Sequence, residues 1–122
     1  MKILGPVVAD LYDLDFSTTN RVKKAMQHLK NGGSVIANVG GDREGYTGVF
    51  SHGGHYVLLL SAGKDSICVL DPSLKVGKYE EPGREGKVRL DAPFAYCSPE
   101  LMEKETDNRN PGFYLFSRKE PC

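Results

Sequence analysis

Apolar and polar positions alternate along this chain with two different periods. Val22, Ala25, Met26 and Leu29 recur at the i, i+3, i+4, i+7 spacing of one helical face. Ser17 or Thr18 offers a side-chain oxygen to cap that helix, and Gly32-Gly33 closes it. The spacing therefore predicts a helix from about Thr19 to Asn31. Ser34 to Val39 is a short β-branched run and predicts a buried strand. The longest apolar stretch starts at His55 and breaks at Gly63-Lys64. It resumes at Ile67 and ends at Asp71-Pro72, which predicts a β-hairpin. Ser98-Pro99-Glu100 places a capping serine, a proline at the first helical position and an acid in the first turn. A short helix to about Glu105 follows from it. Lys87 to Leu90 and Phe113 to Ser117 read as further short strands, the second closing the domain.

Two stretches fit neither period. Met1 to Asp15 suggests an extended piece around Pro6, Val7 and Val8 that leans on other structure. Gly40 to Gly48 is glycine-rich but lacks the Gly-Lys-Ser/Thr ending of a phosphate loop, and no helix pattern follows it. It reads as a flexible loop over a cleft rather than a nucleotide site. The long segment from Lys75 to Lys87, broken by Gly77, Pro82, Gly83 and Gly86, reads as loop. These elements sum to one α+β domain over residues 1–122, mostly antiparallel sheet with one longer and one short helix.

Composition narrows the function. The 16 basic and 16 acidic residues cancel, which argues against a dedicated nucleic-acid or anionic-membrane binder. Arg21, Lys23 and Lys24 read as a solvated helix face. No run approaches the ~18 apolar residues of a membrane span, and the N-terminus is broken too early for a signal peptide. A soluble chain is expected, with its compartment open. Cys68, Cys97 and Cys122 are an odd number without paired spacing, so neither a disulfide framework nor a paired-cysteine zinc motif is expected.

The candidate chemistry lies in the hairpin. His55 and Asp71 stand at its outer ends, where a base and its orienting carboxylate would sit. Residues of an antiparallel pair share a face when the sum of their positions matches the register's parity. A loop with an odd number of residues around Gly63-Lys64 would put both side chains on one face, and a two-residue loop would separate them. Gly53 and Gly54 remove bulk beside the ring, as a substrate backbone would require, and with Tyr56 they are the candidate substrate contacts. Two plainer readings stand beside this one: an edge histidine with a turn-forming Asx residue, and a metal site using His52, His55 and Asp71. The His-Gly-Gly-His spacing lacks the register of a helical metal motif, so no metal or cofactor is expected. His28 reads as a surface histidine at a helix end.

Gly33-Ser34-Val35-Ile36-Ala37, Gly54-His55-Tyr56-Val57-Leu58-Leu59 and Ile67-Cys68-Val69-Leu70-Asp71-Pro72 resemble the C-terminal half of the double-glycine-leader (bacteriocin-processing) peptidase-like family. That family belongs to the papain-like cysteine peptidases. The resemblance covers about Ser17 to Ser73. It implies a papain-like half-domain, peptide or protein substrates, His55 as catalytic histidine and Asp71 as orienting acid. The family's nucleophilic cysteine opens a helix well before the histidine, with a glutamine upstream of it. Here no cysteine precedes Cys68, and Gln27 lies within the first helix. The chain is therefore expected to hold the His/Asp part of a Cys–His–Asp site, inactive alone and prone to self-association. A non-catalytic peptide-binding or scaffold domain is the alternative. Cys68 reads as core, on the face opposite Asp71, and Cys122 as frayed. Cys97 precedes a capped helix whose dipole would lower a thiol pKa, which makes it the one local candidate nucleophile.

Overall fold

The computed structural model describes residues 14–118. Its architecture is α+β, a seven-stranded sheet in which all paired neighbours are antiparallel. In chain order the elements are β1 (Leu14–Thr19), α1 (Val22–Lys30), β2 (Ser34–Val39), β3 (His55–Ala62), β4 (Ile67–Leu70), a 3₁₀ turn (Lys78–Glu80), β5 (Arg89–Asp91), β6 (Phe94–Cys97), α2 (Pro99–Thr106) and β7 (Phe113–Arg118). Across the sheet the order is β1-β7-β2-β3-β4-β6-β5. Among the described residues no helix is long and apolar enough to cross a membrane.

Both helices pack on one face. Val22, Ala25, Met26 and Leu29 of α1 and Met102 of α2 share a single buried cluster with Val35, Ala37, Val39, Val57, Leu59, Val69, Phe113 and Leu115. The other face carries a smaller cluster in which Tyr114 and Phe116 are buried against Phe16 and Ile36. α1 ends in a Schellman motif: Gly32 N–H donates to Leu29 O and Gly33 N–H to His28 O, with Gly32 at φ +90°. α2 starts as expected, with Ser98 Oγ accepting from Leu101 N at 3.1 Å.

The N-terminal boundary differs from the expectation. Ser17 and Thr18 do not cap α1; they lie in β1, and the N-cap is Arg21, which makes no side-chain cap bond. Phe16 decides this. It pairs with Phe116, stacks on Tyr114 at 6.0 Å and is partly buried in the second apolar cluster. The expected extended piece at Pro6 to Val8 lies outside the described residues. β6 was also hidden in the pattern: Phe94-Ala95-Tyr96-Cys97 pairs with β4 on one side and with β5 on the other. The expected strand at Lys87 to Leu90 sits slightly later, at Arg89–Asp91. His28 is half-buried rather than a surface residue, and its Nε2 donates to Phe116 O at 2.7 Å.

The hairpin register is set by a device the sequence concealed. Ala62 pairs with Ile67, so the loop is the four residues Gly63 to Ser66, closed by Gly63 N–H to Ser66 O at 2.8 Å. An even loop gives the wrong parity for a His–Asp pair. The pairing then shifts between Ser61–Cys68 and Leu59–Val69, with Leu60 as the extra residue. This bulge restores the even register, and His55 and Asp71 return to one face. The expected odd loop is thus replaced by an even loop plus a bulge.

Candidate active site

β2 and β3 are adjacent and antiparallel, with Val39 opposite His55. β4 then carries Asp71 just past its end, diagonal to His55. His55 Nε2 lies 3.3 Å from Asp71 Oδ1, with the imidazole 22% exposed and the carboxylate 1%. The approach is a close contact without hydrogen-bond alignment, so the buried Nε2 has no hydrogen-bond partner. Among the described residues Nδ1 has no protein hydrogen bond either.

Asp71 serves more groups than its histidine. Ser73 N–H donates to Oδ1 at 2.9 Å, which is the Asx turn of the plainer reading. Lys78 Nζ donates to Oδ2 at 2.5 Å, and Tyr79 Oη to the same oxygen at 2.7 Å. Burial alone would raise the Asp71 pKa. The contacts from His55, Lys78, Tyr79 and Ser73 outweigh it and hold the carboxyl well below its ordinary range. Burial, with the bond to Asp71, pushes the Tyr79 phenol well above its ordinary value. Lys78 and Tyr79 are both buried, on the 3₁₀ turn inside the stretch that read as loop.

A cleft of about 350 Å³ opens beside this cluster, lined among others by Phe50, Ser51, His52, His55, Lys78 and Arg84. The glycine-rich loop that borders it is pinned. Glu105, fully buried on α2, accepts Val49 N–H at 2.9 Å and Phe50 N–H at 3.0 Å through Oε1, and the Tyr46 hydroxyl donates to Oε2. Arg84 fixes the same loop, with Nε donating to Gly48 O at 2.8 Å and Nη1 to Glu81 Oε2 at 2.5 Å. A loop with this many buried bonds is held in place rather than flexible.

His52, which lines the same cleft, belongs to a second histidine–carboxylate pair. His52 Nδ1 donates to Asp42 Oδ2 at 2.8 Å, and its Nε2 is 3.7 Å from Glu81. The Gly48 N–H on the other carboxylate oxygen, and then His52, lower the Asp42 pKa. His52, His55 and Asp71 are not gathered into a metal site; among the described residues no group of three or more His, Cys, Asp or Glu is placed to hold one.

The remaining candidates distribute unevenly. Gly53 is exposed, with open space where a Cβ would stand. At Gly54, φ +94°, that space is taken by the Arg109 guanidinium of this same chain. Tyr56 alternates with His55 and faces the other side of the sheet, edge-on to Tyr114 at 6.1 Å. Cys68 is buried on the face opposite Asp71, paired with Tyr96. Cys122 lies outside the described residues. Cys97 overturns its expectation. It is in the core, where desolvation, with Glu105 nearby, pushes the thiol up to about 12. Burial outweighs the helix dipole, which acts only within the first turn.

Lys78, Tyr79, Arg84 and Glu105 were not singled out from the sequence. For Glu105 a signal existed: it occupies the apolar stripe Leu101, Met102, Glu105 of a short helix, where a charge demands a partner. Compared with known proteins, the chain matches no family model, no curated protein and no solved structure.

Proposed function

We propose that this chain carries the histidine and aspartate of a papain-like cysteine-peptidase site acting on peptide or protein substrates, the thiol coming from outside residues 14–118. The carrying observation is the His55–Asp71 contact at the cleft, with Nε2 buried against the carboxylate and Nδ1 without a protein partner. Nδ1 would take the proton of an incoming thiol, and the thiolate would attack the substrate carbonyl while Asp71 stabilises the imidazolium. The imidazolium would return the proton to the amine that leaves as the C–N bond breaks, giving a thioester on the thiol.

The test supplies the missing nucleophile as a small thiol. Thiolysis of a peptide p-nitrophenyl ester by cysteamine should be accelerated by the protein. A positioned base contributes about 10²-fold or more, and His55→Ala should lose that acceleration. Equal rates for the wild type and His55→Ala sink the proposal.

A second reading, a peptide-binding domain without catalysis, is favoured by one observation. Lys78 already balances the charge of Asp71 at 2.5 Å, so the carboxylate does not need the imidazole. Peptide binding that His55→Ala leaves intact, with no His55-dependent thiolysis, is the outcome that selects it.

A further inference from the structure

β5 (Arg89–Asp91) is an outer strand of the sheet, and among the described residues it pairs with β6 alone. Its three residues are all exposed. Among the described residues their backbone makes no hydrogen bond outside the β6 pairing. A free edge is a template for another strand, and proteins commonly blunt it with charge, lysine above all. β5 is short, but its charges have opposite signs: Arg89 and Asp91 flank Leu90.

Side chains alternate along a strand, so Arg89 and Asp91 share one face and Leu90 takes the other. The pairing agrees, with Arg89 opposite Tyr96, Asp91 opposite Phe94 and Leu90 opposite Ala95. Arg89 lies over the Tyr96 ring at 4.2 Å, a contact that supplies no counter-charge. Among the described residues neither Arg89 nor Asp91 has an ion-pair partner. Leu90 is 47% exposed. With Val88 and Tyr79 it lines a cavity of about 250 Å³ that leaves apolar room beside the edge.

We propose that β5 is the contact strand of a two-fold dimer of this chain. With the axis normal to the sheet at Leu90, the β5 strand of a second copy runs antiparallel to the first and extends the same sheet. Leu90 then meets Leu90 of the second copy, Arg89 meets its Asp91, and Asp91 meets its Arg89. Directly opposite residues stand ~4.5–5.5 Å apart at Cβ, close enough for both ion pairs and the leucine contact. The register is specified by the charges. A shift of one residue sets a charge against Leu90, and a shift of two sets arginine against arginine or aspartate against aspartate. The patch is therefore self-complementary, as a two-fold interface requires. A three-residue edge buries little surface, which places the dimer in the weak class, below about 1,200 Å².

Sedimentation velocity of the whole chain over a concentration series tests the proposal. The wild type should pass from monomer to dimer as concentration rises. Arg89→Asp and Asp91→Arg each set like charges against one another at both pairs. Each variant alone should dimerise at least about 10-fold more weakly, a difference of about 1.4 kcal/mol. Mixed in equal amounts, the two variants should recover the wild-type association, because each then meets the opposite sign at both positions. Both variants are first checked for a native melting profile. A wild type that stays monomeric up to about 1 mM overturns the proposal. So does a dimer that both single variants leave unchanged, and so does a mixture of natively folded variants that fails to associate.

Discussion

His52 and His55 stand three residues apart, line one cleft, and each contacts an aspartate, yet the two pairs are made differently. His52–Asp42 is a short aligned hydrogen bond between side chains 53% and 46% exposed. His55–Asp71 is longer and unaligned, but its carboxylate is buried and also holds Lys78, Tyr79 and Ser73. Alignment belongs to one pair and structural consequence to the other. Water competes with an exposed pair and salt screens it, whereas a buried carboxylate stripped of its partners has no solvent to replace them. The better hydrogen bond is therefore the weaker determinant of the fold.

The largest break in that contrast is Asp71→Ala. It leaves the Lys78 ammonium buried without its counter-charge and should destabilise the protein by about 3–5 kcal/mol in urea unfolding. That is a large share of the roughly 5–15 kcal/mol typical of a whole domain. Asp71→Asn should lose less, because the amide oxygen can still accept from Ser73 N–H. The charge also sets a pH signature. The folded pKa of Asp71 is depressed, so its stabilisation is fully present above the ordinary carboxylate value of about 3.9 and is lost as pH falls through the depressed one. Stability measured downward from about pH 4 should fall more steeply in the wild type than in Asp71→Asn. Equal slopes would show that the four contacts on Asp71 do not favour its ionised form.

Glu105 offers an intermediate case, since its carboxylate is buried like that of Asp71 but takes neutral donors. Glu105→Ala strands Val49 N–H and Phe50 N–H in the core, at about 1–3 kcal/mol for each unsatisfied group. Glu105→Gln keeps an oxygen that can accept both and should be milder. Hydrogen exchange at the Val49 and Phe50 amides locates the effect. Exchange there that stays as slow in Glu105→Ala as in the wild type would mean that the other contacts, among them Arg84 on Gly48 O and Asp42 on Gly48 N–H, suffice to hold the loop.

The legible parts of this chain were those decided within a few residues. Ser34–Val39, the α1 stripe, its Gly32-Gly33 stop and the Ser98-Pro99-Glu100 start all carry their cause in local sequence. His55 and Asp71 were found because strand ends are visible as breaks in an apolar run. What stayed hidden depends on partners far along the chain. β1 is polar at four of six positions and is a strand because Phe16 meets Phe116. Glu105 is bonded to residues more than fifty positions away. The Leu60 bulge has no residue signature, since Leu58-Leu59-Leu60 reads the same in either register. It is the bulge that brings Asp71 to the face of His55, so the pair of residues was legible and its geometry was not.

Among these changes the smallest expected effect is that of His52→Ala, which tests the other half of the contrast. The ring is more than half exposed, and removing it leaves Asp42 in place with its second oxygen still accepting Gly48 N–H at 2.7 Å. The loop keeps Glu105 and Arg84 as its anchors, so no buried group loses a partner. The urea midpoint should stay at the wild-type value, at low salt and at high salt alike. His55-dependent thiolysis should also persist, because the ring that meets Asp71 is untouched. A destabilisation comparable to that of Asp71→Ala, or loss of thiolysis in His52→Ala alone, would reverse the assignment: the exposed, aligned pair would then be the working one, and the buried pair a structural anchor for the Lys78 turn.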